Sequence, residues 1–265
     1  MASSTAVRIV TGLFLLLLLA LALGFGGWVL FALLALFALL GQWEFQGLFG
    51  KRGGHFFGRA VALLLGLGVL AAAHFGPAAA LAGMGVSCVV LFTLYLIHWA
   101  ADDSAAFEPT AILLAGIGYV PLLLAPALGL ALHEQLLIVG VAAASDTLAY
   151  FAGSRWGRHK IWPKVSPKKS VEGSIAGLFG SVLIASLAGI AWGAAPLWHF
   201  ALLGAGLGVA AQFGDFFESA LKRACGVKDS GSLLPGHGGV LDRIDSLLFV
   251  IPLYAALSQF LHFWK

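Results

Sequence analysis

Apolar runs close to the length of a membrane-spanning helix, each closed by glycine, proline or a short polar cluster, occupy most of this 265-residue chain. A span takes about 20 mostly apolar residues, and at that length the pattern predicts about nine helices. The first two, near 7–24 and 28–47, are split by Gly24, Gly26 and Gly27. Spans near 60–75 and 79–100 are divided by Gly76 and Pro77, and those near 111–131 and 135–153 meet at His133 and Glu134. Two more run near 174–193 and 197–220, and the last near 243–263. The expected fold is all-α, a polytopic integral membrane protein.

The polar connections sort by charge. Starting inside, Arg8, the Lys51–Arg59 connection, Arg155–Lys169 and Lys222–Arg243 all fall on one side of the membrane, and only Lys265 falls opposite. The positive-inside rule makes that side cytoplasmic and the N-terminus cytoplasmic with it. An error of one span would scatter these charges over both faces, so the odd count and the orientation support each other. Trp28, Trp99, Trp156, Trp162, Trp198 and Trp264 fall near predicted span ends, as an interfacial belt does. Composition agrees with this class: 60% of residues are hydrophobic and 10% charged, which excludes an ordinary soluble domain. Cys88 and Cys225 have no metal or redox spacing and read as free thiols. The first apolar run lacks a small-residue cleavage site and is kept as a span rather than a signal peptide.

Against this background one stretch is dense in charge. Residues 215–246, GDFFESALKRACGVKDSGSLLPGHGGVLDRIDS from Gly214, gather Asp215, Glu218, Lys222, Arg223, Lys228, Asp229, His237, Asp242, Arg243 and Asp245. Its flanks read as helices, with Asp215, Ser219 and Lys222 on one face and Asp242, Asp245 and Ser246 on another. The glycine- and proline-rich middle reads as a loop. Two carboxylate faces meeting at such a loop suit a Mg²⁺-bound polyphosphate, which needs hard oxygen ligands, cations and close backbone approach. Upstream, SDTLAY places Asp146 and Tyr150 one turn apart near the same face. An acid within a span is costly unless paired, hydrated or metal-bound, so Asp146 is either functional or a packing ion pair. The following KVSPKKSVEG offers Lys164, Ser166, Lys168, Lys169, Ser170 and Glu172, either as a phosphate-contacting loop or as a basic patch for anionic headgroups.

The run SALKRACGVKDSGSLLPGHGGVLDRID resembles the C-terminal signature of the CDP-diacylglycerol synthases, or phosphatidate cytidylyltransferases. The resemblance rests on Ser219, Lys222, Arg223, Lys228, Asp229, Gly231, Pro235, His237, Gly238, Gly239, Asp242, Arg243 and Asp245. SDTLAY and KVSPKKSVEG are similar to earlier family motifs, with Ser170 where threonine is the commoner residue, and Trp43–Glu44 also fits. In detail the likeness covers about residues 140–255; before that it is a hydrophobic pattern.

The resemblance implies a reaction of CTP with phosphatidic acid to give CDP-diacylglycerol and pyrophosphate, and a helical membrane dimer. It also implies a metal site for Mg²⁺, with a second ion such as K⁺, held by Asp215, Asp242 and Asp245. Lys222, Arg223 and Lys228 are then assigned to the triphosphate or the lipid phosphate, with Lys222, Arg223, Asp242 and Asp245 as the catalytic set. Asp146, Ser166, Lys168, Lys169, Ser219, Lys228, Asp229, His237, Gly238, Gly239 and Arg243 form the expected substrate-binding set. Gly238 and Gly239 would let backbone approach the nucleotide. Arg243 serves phosphate, orients Asp242, or forms a structural salt bridge; His237 touches phosphate, helps a proton leave, or is a neutral loop residue. Residues 1–133 are expected to supply packing and dimer contacts, and 134–265 the catalytic region with cytoplasmic loops 154–172 and 222–242. Expected partners are CTP, phosphatidic acid and membrane lipids, with no nucleic acid, at a cell inner membrane. Asp102, Asp103 and Glu108 read as a solvated connection.

Two other functions fit parts of the pattern. A CTP-dependent kinase of a membrane alcohol would use a related site but move the γ-phosphoryl group. A transporter would also place acids and glycines within spans, with an internal repeat and midplane charge; here the charge crowds one face.

Overall fold

The computed structural model describes residues 4–264. Lys265, expected alone on the opposite face, and the Lys51 side chain lie outside the description. The helices are α1 (Ser4–Phe25), α2 (Gly27–Leu48), α3 (Phe56–Ala72), α4 (Pro77–Ala101), α5 (Glu108–Ile117), α6 (Leu132–Trp156), α7 (Val171–Trp192), α8 (Leu197–Ala224) and α9 (Leu241–Phe260). Among the described residues there is no strand. Among the described residues eight segments are long and apolar enough to cross a membrane, and the ninth expected span is α9, whose first turns carry Asp242, Arg243 and Asp245.

The punctuation read from the sequence sets most helix ends. Gly26 and Gly27 take positive φ between α1 and α2, a conformation open to residues without a Cβ. Pro77 opens α4 at a position where its missing N–H costs nothing. The fifth crossing, Glu108–Gly129, is not one continuous α-helix. After α5 it loosens into a π turn at Gly118–Leu122, because Pro121 has no N–H and its ring crowds the preceding turn. Large apolar side chains point outward along the helices, among them Leu64, Phe75, Phe179 and Ile190. That surface would be untenable in water and is matched to lipid, so the chain is a polytopic membrane protein. Trp28, Trp99, Trp156 and Trp198 are exposed near helix ends.

The chain forms two compact units. One comprises Met1–Gly129 with Asp229–Arg243, the other Leu130–Lys228 with Ile244–Lys265. In the first, Ala62, Val69, Leu91, Leu113 and Ile117 of α3, α4 and α5 make a common core, and buried Gln42 of α2 donates from Nε2 to the Ala62 carbonyl at 2.8 Å.

In the second unit the small residues of α7 close the packing. A Cβ at Gly173 would lie 2.7 Å from the Ala149 carbonyl, and one at Gly177 2.7 Å from the Ser145 carbonyl, so α6 and α7 touch backbone to backbone. Gly204 of α8 meets Ser181 and Ala185 of α7 in the same manner. Such approach replaces the hydrophobic effect, which is absent between helices in lipid, with dense van der Waals contact. Gly177→Val should therefore lower stability by about 1–3 kcal/mol through overpacking, read as a lower unfolding midpoint in detergent. An unchanged midpoint would show that the α6–α7 seam has slack.

Candidate active site

In the second unit a cleft of 610 Å³ is bounded by α6, α8, the start of α7 and the loop between α6 and α7. Asp146, Lys168, Lys169 and Asp215 line it, so four residues singled out from three stretches of sequence come together. The loop that delivers the lysines is pinned from α7. The Glu172 carboxylate accepts the backbone N–H of Arg158 at 3.1 Å and of His159 at 3.2 Å, and lies 2.6 Å from His159 Nδ1. Ser170 Oγ accepts the Gly173 N–H and caps α7, which explains why a hydroxyl is what this position requires. Ser166 shapes the preceding turn, its carbonyl accepting the Lys169 N–H at 3.3 Å, and does not line the cleft.

Lys169 forms an ion pair with Asp215 and stands 4.1 Å over the Phe216 ring. Both partners of the pair are partly exposed to the cleft. Asp215 Oδ1 also accepts weakly from Ser219 Oγ at 3.4 Å. Asp245 is buried and lies within electrostatic reach of Asp215, Asp146 and Lys169. Its Oδ1 accepts the Ser246 N–H at 2.7 Å. Gly214 makes this closeness possible: a Cβ there would sit 2.5 Å from the Asp245 carbonyl, so α8 rests on α9 beside the two acids.

Among the described residues no group of three or more His, Cys, Asp or Glu side chains is placed to hold an ion. The expected set divides, with Asp215 and Asp245 in the second unit and Asp242 in the first. Asp242 Oδ2 instead accepts from Ser230 N at 3.1 Å, Ser230 Oγ at 3.0 Å and Gly239 N at 2.8 Å, stitching both ends of the 229–243 loop. Spacing still puts Asp242 and Asp245 on one face of α9.

The remaining candidates divide similarly. Lys222 is ion-paired with Glu218 one turn earlier on α8, and both side chains are nearly enclosed, 11% and 1% exposed. Arg223 donates to the Val227 carbonyl at 3.0 Å and closes the end of α8. Lys228 and Asp229 are exposed. The loop doubles back at Leu234–Gly238, where the Leu234 N–H reaches the Gly238 carbonyl and the His237 N–H the Leu234 carbonyl, each at 2.9 Å. Arg243 donates to the His237 carbonyl at 2.9 Å. Thr11 of α1 donates to the Pro235 carbonyl at 3.1 Å.

Gly238 and Gly239 have local reasons to be glycine. Gly238 takes φ +80, and a Cβ would lie 2.7 Å from Asp242 Oδ2. At Gly239 that space belongs to Ser230 and Glu44. A side chain at either position would run into the protein's own polar groups. In the acidic connection, Asp102 accepts from the Ser104 N–H and hydroxyl, which holds its carboxyl below the usual carboxylate range. Glu108 pairs with Arg52 at 3.7 Å across solvent-exposed positions.

Five participants were given no site role from the sequence. Lys160, Tyr150 and Gln212 line the cleft, Glu218 holds Lys222, and Glu44 holds the 229–243 loop. Glu44 and Glu218 had a signal, an acid within a span, where an unpaired charge is expensive. Gln212 had none, being neutral on a helix with no motif around it.

The Cytidylyltransferase family model matches residues 6–261. The chain belongs to that family. Among curated relatives it is 42% identical over 151 residues to the phosphatidate cytidylyltransferase of Staphylococcus saprophyticus, and 44% identical over 151 residues to that of Staphylococcus aureus strain COL. It is 46% identical over 119 residues to that of Bacillus subtilis strain 168. The staphylococcal matches take in 56% of this chain and 57% of each relative, and the Bacillus match 44% of both. The likeness thus spans about half the length of these cytidylyltransferases.

Proposed function

We propose that this chain is a phosphatidate cytidylyltransferase, joining CTP and phosphatidic acid to give CDP-diacylglycerol and pyrophosphate. The observation that supports it best is the cleft in which Lys168, Lys169 and Lys160 stand beside Asp146 and Asp215, with buried Asp245 in electrostatic reach. Opposed charges at one membrane-protein cleft suit a metal-bound polyphosphate better than a neutral substrate.

The lipid phosphate is already an anion and needs little deprotonation to attack. Its oxygen forms a bond to the α-phosphorus of CTP, and the bond from that phosphorus to the bridging oxygen breaks as pyrophosphate departs. Bringing two anions together in line is the obstacle, so positioning and charge neutralisation carry the rate. In this reading Lys168 and Lys169 hold phosphate oxygens, Asp215 and Asp245 hold a Mg²⁺, and Arg223, Lys228 and Arg243 reach the nucleotide or lipid phosphate. The donor set fits that ion, since Mg²⁺ takes one or two carboxylates and completes its shell with substrate phosphates and water. When bound it supplies charge neutralisation on the polyphosphate. Asp242 would serve this chemistry as a carboxylate at the start of α9, and a second ion such as K⁺ would accompany the Mg²⁺. The enzyme would act as a homodimer in a cell inner membrane with its cleft toward the cytoplasm, where CTP is available.

The test is purified protein in detergent with CTP, Mg²⁺ and phosphatidic acid. Pyrophosphate and a cytidine-bearing lipid are expected in equal amounts, and chelation of Mg²⁺ should stop both. Label from the γ-phosphate entering lipid, with none from the cytosine ring, would replace this reading with a kinase.

A further inference from the structure

Glu44 belongs to α2, far along the chain from the 229–243 loop, yet it is the side chain around which that loop is folded. It is 4% exposed. Its Oε2 accepts the backbone N–H of Leu241 at 2.8 Å and the Ser230 hydroxyl at 3.1 Å. Leu241 is the first residue of α9, so Glu44 satisfies one of the N–H groups that a helix start leaves open, and places negative charge at the positive end of the helix dipole. Ser230 lies at the other end of the loop, where its hydroxyl is within reach of both Glu44 and Asp242. A Cβ at Gly231 or at Gly239 would collide with the Glu44 carboxylate. Two glycines of the signature therefore frame this acid.

We infer that Glu44 is a positioning residue: a buried carboxylate from α2 that fixes both ends of the 229–243 loop and so sets the first turn of α9, which carries Asp242 and Arg243. A water-exposed loop needs no such anchor, and burying a carboxylate is costly unless its hydrogen bonds return that cost. The cost is met where two segments of loop must be held in one register. Glu44 does not touch the reacting groups; it acts through Asp242, whose Oδ2 shares the Ser230 hydroxyl with it. That this positioning matters for turnover rests on the cytidylyltransferase reading above, whereas the positioning itself does not.

The experiment uses the full chain in detergent, with hydrogen exchange read peptide by peptide alongside turnover. In Glu44→Ala, backbone exchange across 229–243 should accelerate by about ten-fold or more, as expected when charged hydrogen bonds to backbone are removed. Exchange in α6, α7 and α8 should stay at the wild-type rate. Turnover should fall by about ten-fold or more through kcat, with KM for CTP within about three-fold, because geometry rather than a substrate contact is lost. Glu44→Gln keeps an acceptor for the Leu241 N–H and should recover most of the protection, and Ser230→Ala should produce a smaller change in the same peptides. Unchanged exchange at 229–243 in all three variants would overturn the inference, as would acceleration spread evenly over the chain, the mark of a merely structural acid. If wild-type protein makes no cytidine-bearing lipid, the reaction assignment fails while the exchange data still decide the role of Glu44.

Discussion

Asp245→Asn is expected to lose Mg²⁺-dependent turnover by about two to three orders of magnitude, the scale seen when a preorganised electrostatic contact is removed from a transition state. The same variant should insert normally and unfold at an equal or higher temperature. The wild-type carboxylate is buried, with Asp215 and Asp146 acting on it and only Lys169 as a cationic influence among those acting on it most. Removing a buried charge from among like charges relieves desolvation and repulsion together. Asn is nearly the same shape and keeps an oxygen for the Ser246 N–H. Stability and activity should therefore move in opposite directions, as at sites strained for function. Detergent-solubilised protein assayed for both quantities gives the answer. Near-normal turnover would remove Asp245 from the metal site, and loss of both would show that the acid serves the fold.

The second large effect concerns Lys222. Read from sequence, it is a phosphate ligand, and its loss should spare membrane assembly. The ion pair with Glu218 inside α8 reverses that order. Taking one partner from an enclosed pair leaves the other charge uncompensated, at about 3–5 kcal/mol, and both side chains here are nearly shut off from solvent. Lys222→Ala should therefore fail chiefly in assembly, seen as aggregated or low-melting protein in detergent. Glu218→Gln combined with Lys222→Met, which removes both charges and keeps the volume, should restore a monodisperse protein with stability within about 1 kcal/mol of wild type. If Lys222→Ala assembles as well as wild type and loses only CTP use, the pair is not what holds this turn and the sequence assignment stands.

How far the site was legible depended on what each residue's role requires. Asp146, Lys168, Lys169 and Asp215 could be picked out because charge in an apolar chain is expensive and so rarely incidental, and all four line one cleft. Glu44 and Glu218 sent the same kind of signal, but their partners are set by packing, one across most of the chain and one along a helix face. Gly238 and Gly239 looked like room for a ligand because a missing Cβ does not say what occupies its place; here Asp242 lies beside the first, and Ser230 and Glu44 beside the second. The glycines and alanines of α7 and α8 suit a lipid opening and tight contact equally well when read as sequence. The backbone carbonyls of Ala149, Ser145 and Ser181 against Gly173, Gly177 and Gly204 decide for contact.

The sequence by itself determined the class, the helices and the family motifs, because span length, glycine and proline punctuation and the scarcity of charge are local properties that a bilayer enforces one segment at a time. Only the tertiary structure decided which charges share a cleft and which are held across the fold: Lys169 by Asp215, and the start of α9 by Glu44. Those pairings follow from which helix faces meet, and that is settled by side-chain packing across long stretches of chain, for which no spacing rule along the sequence exists.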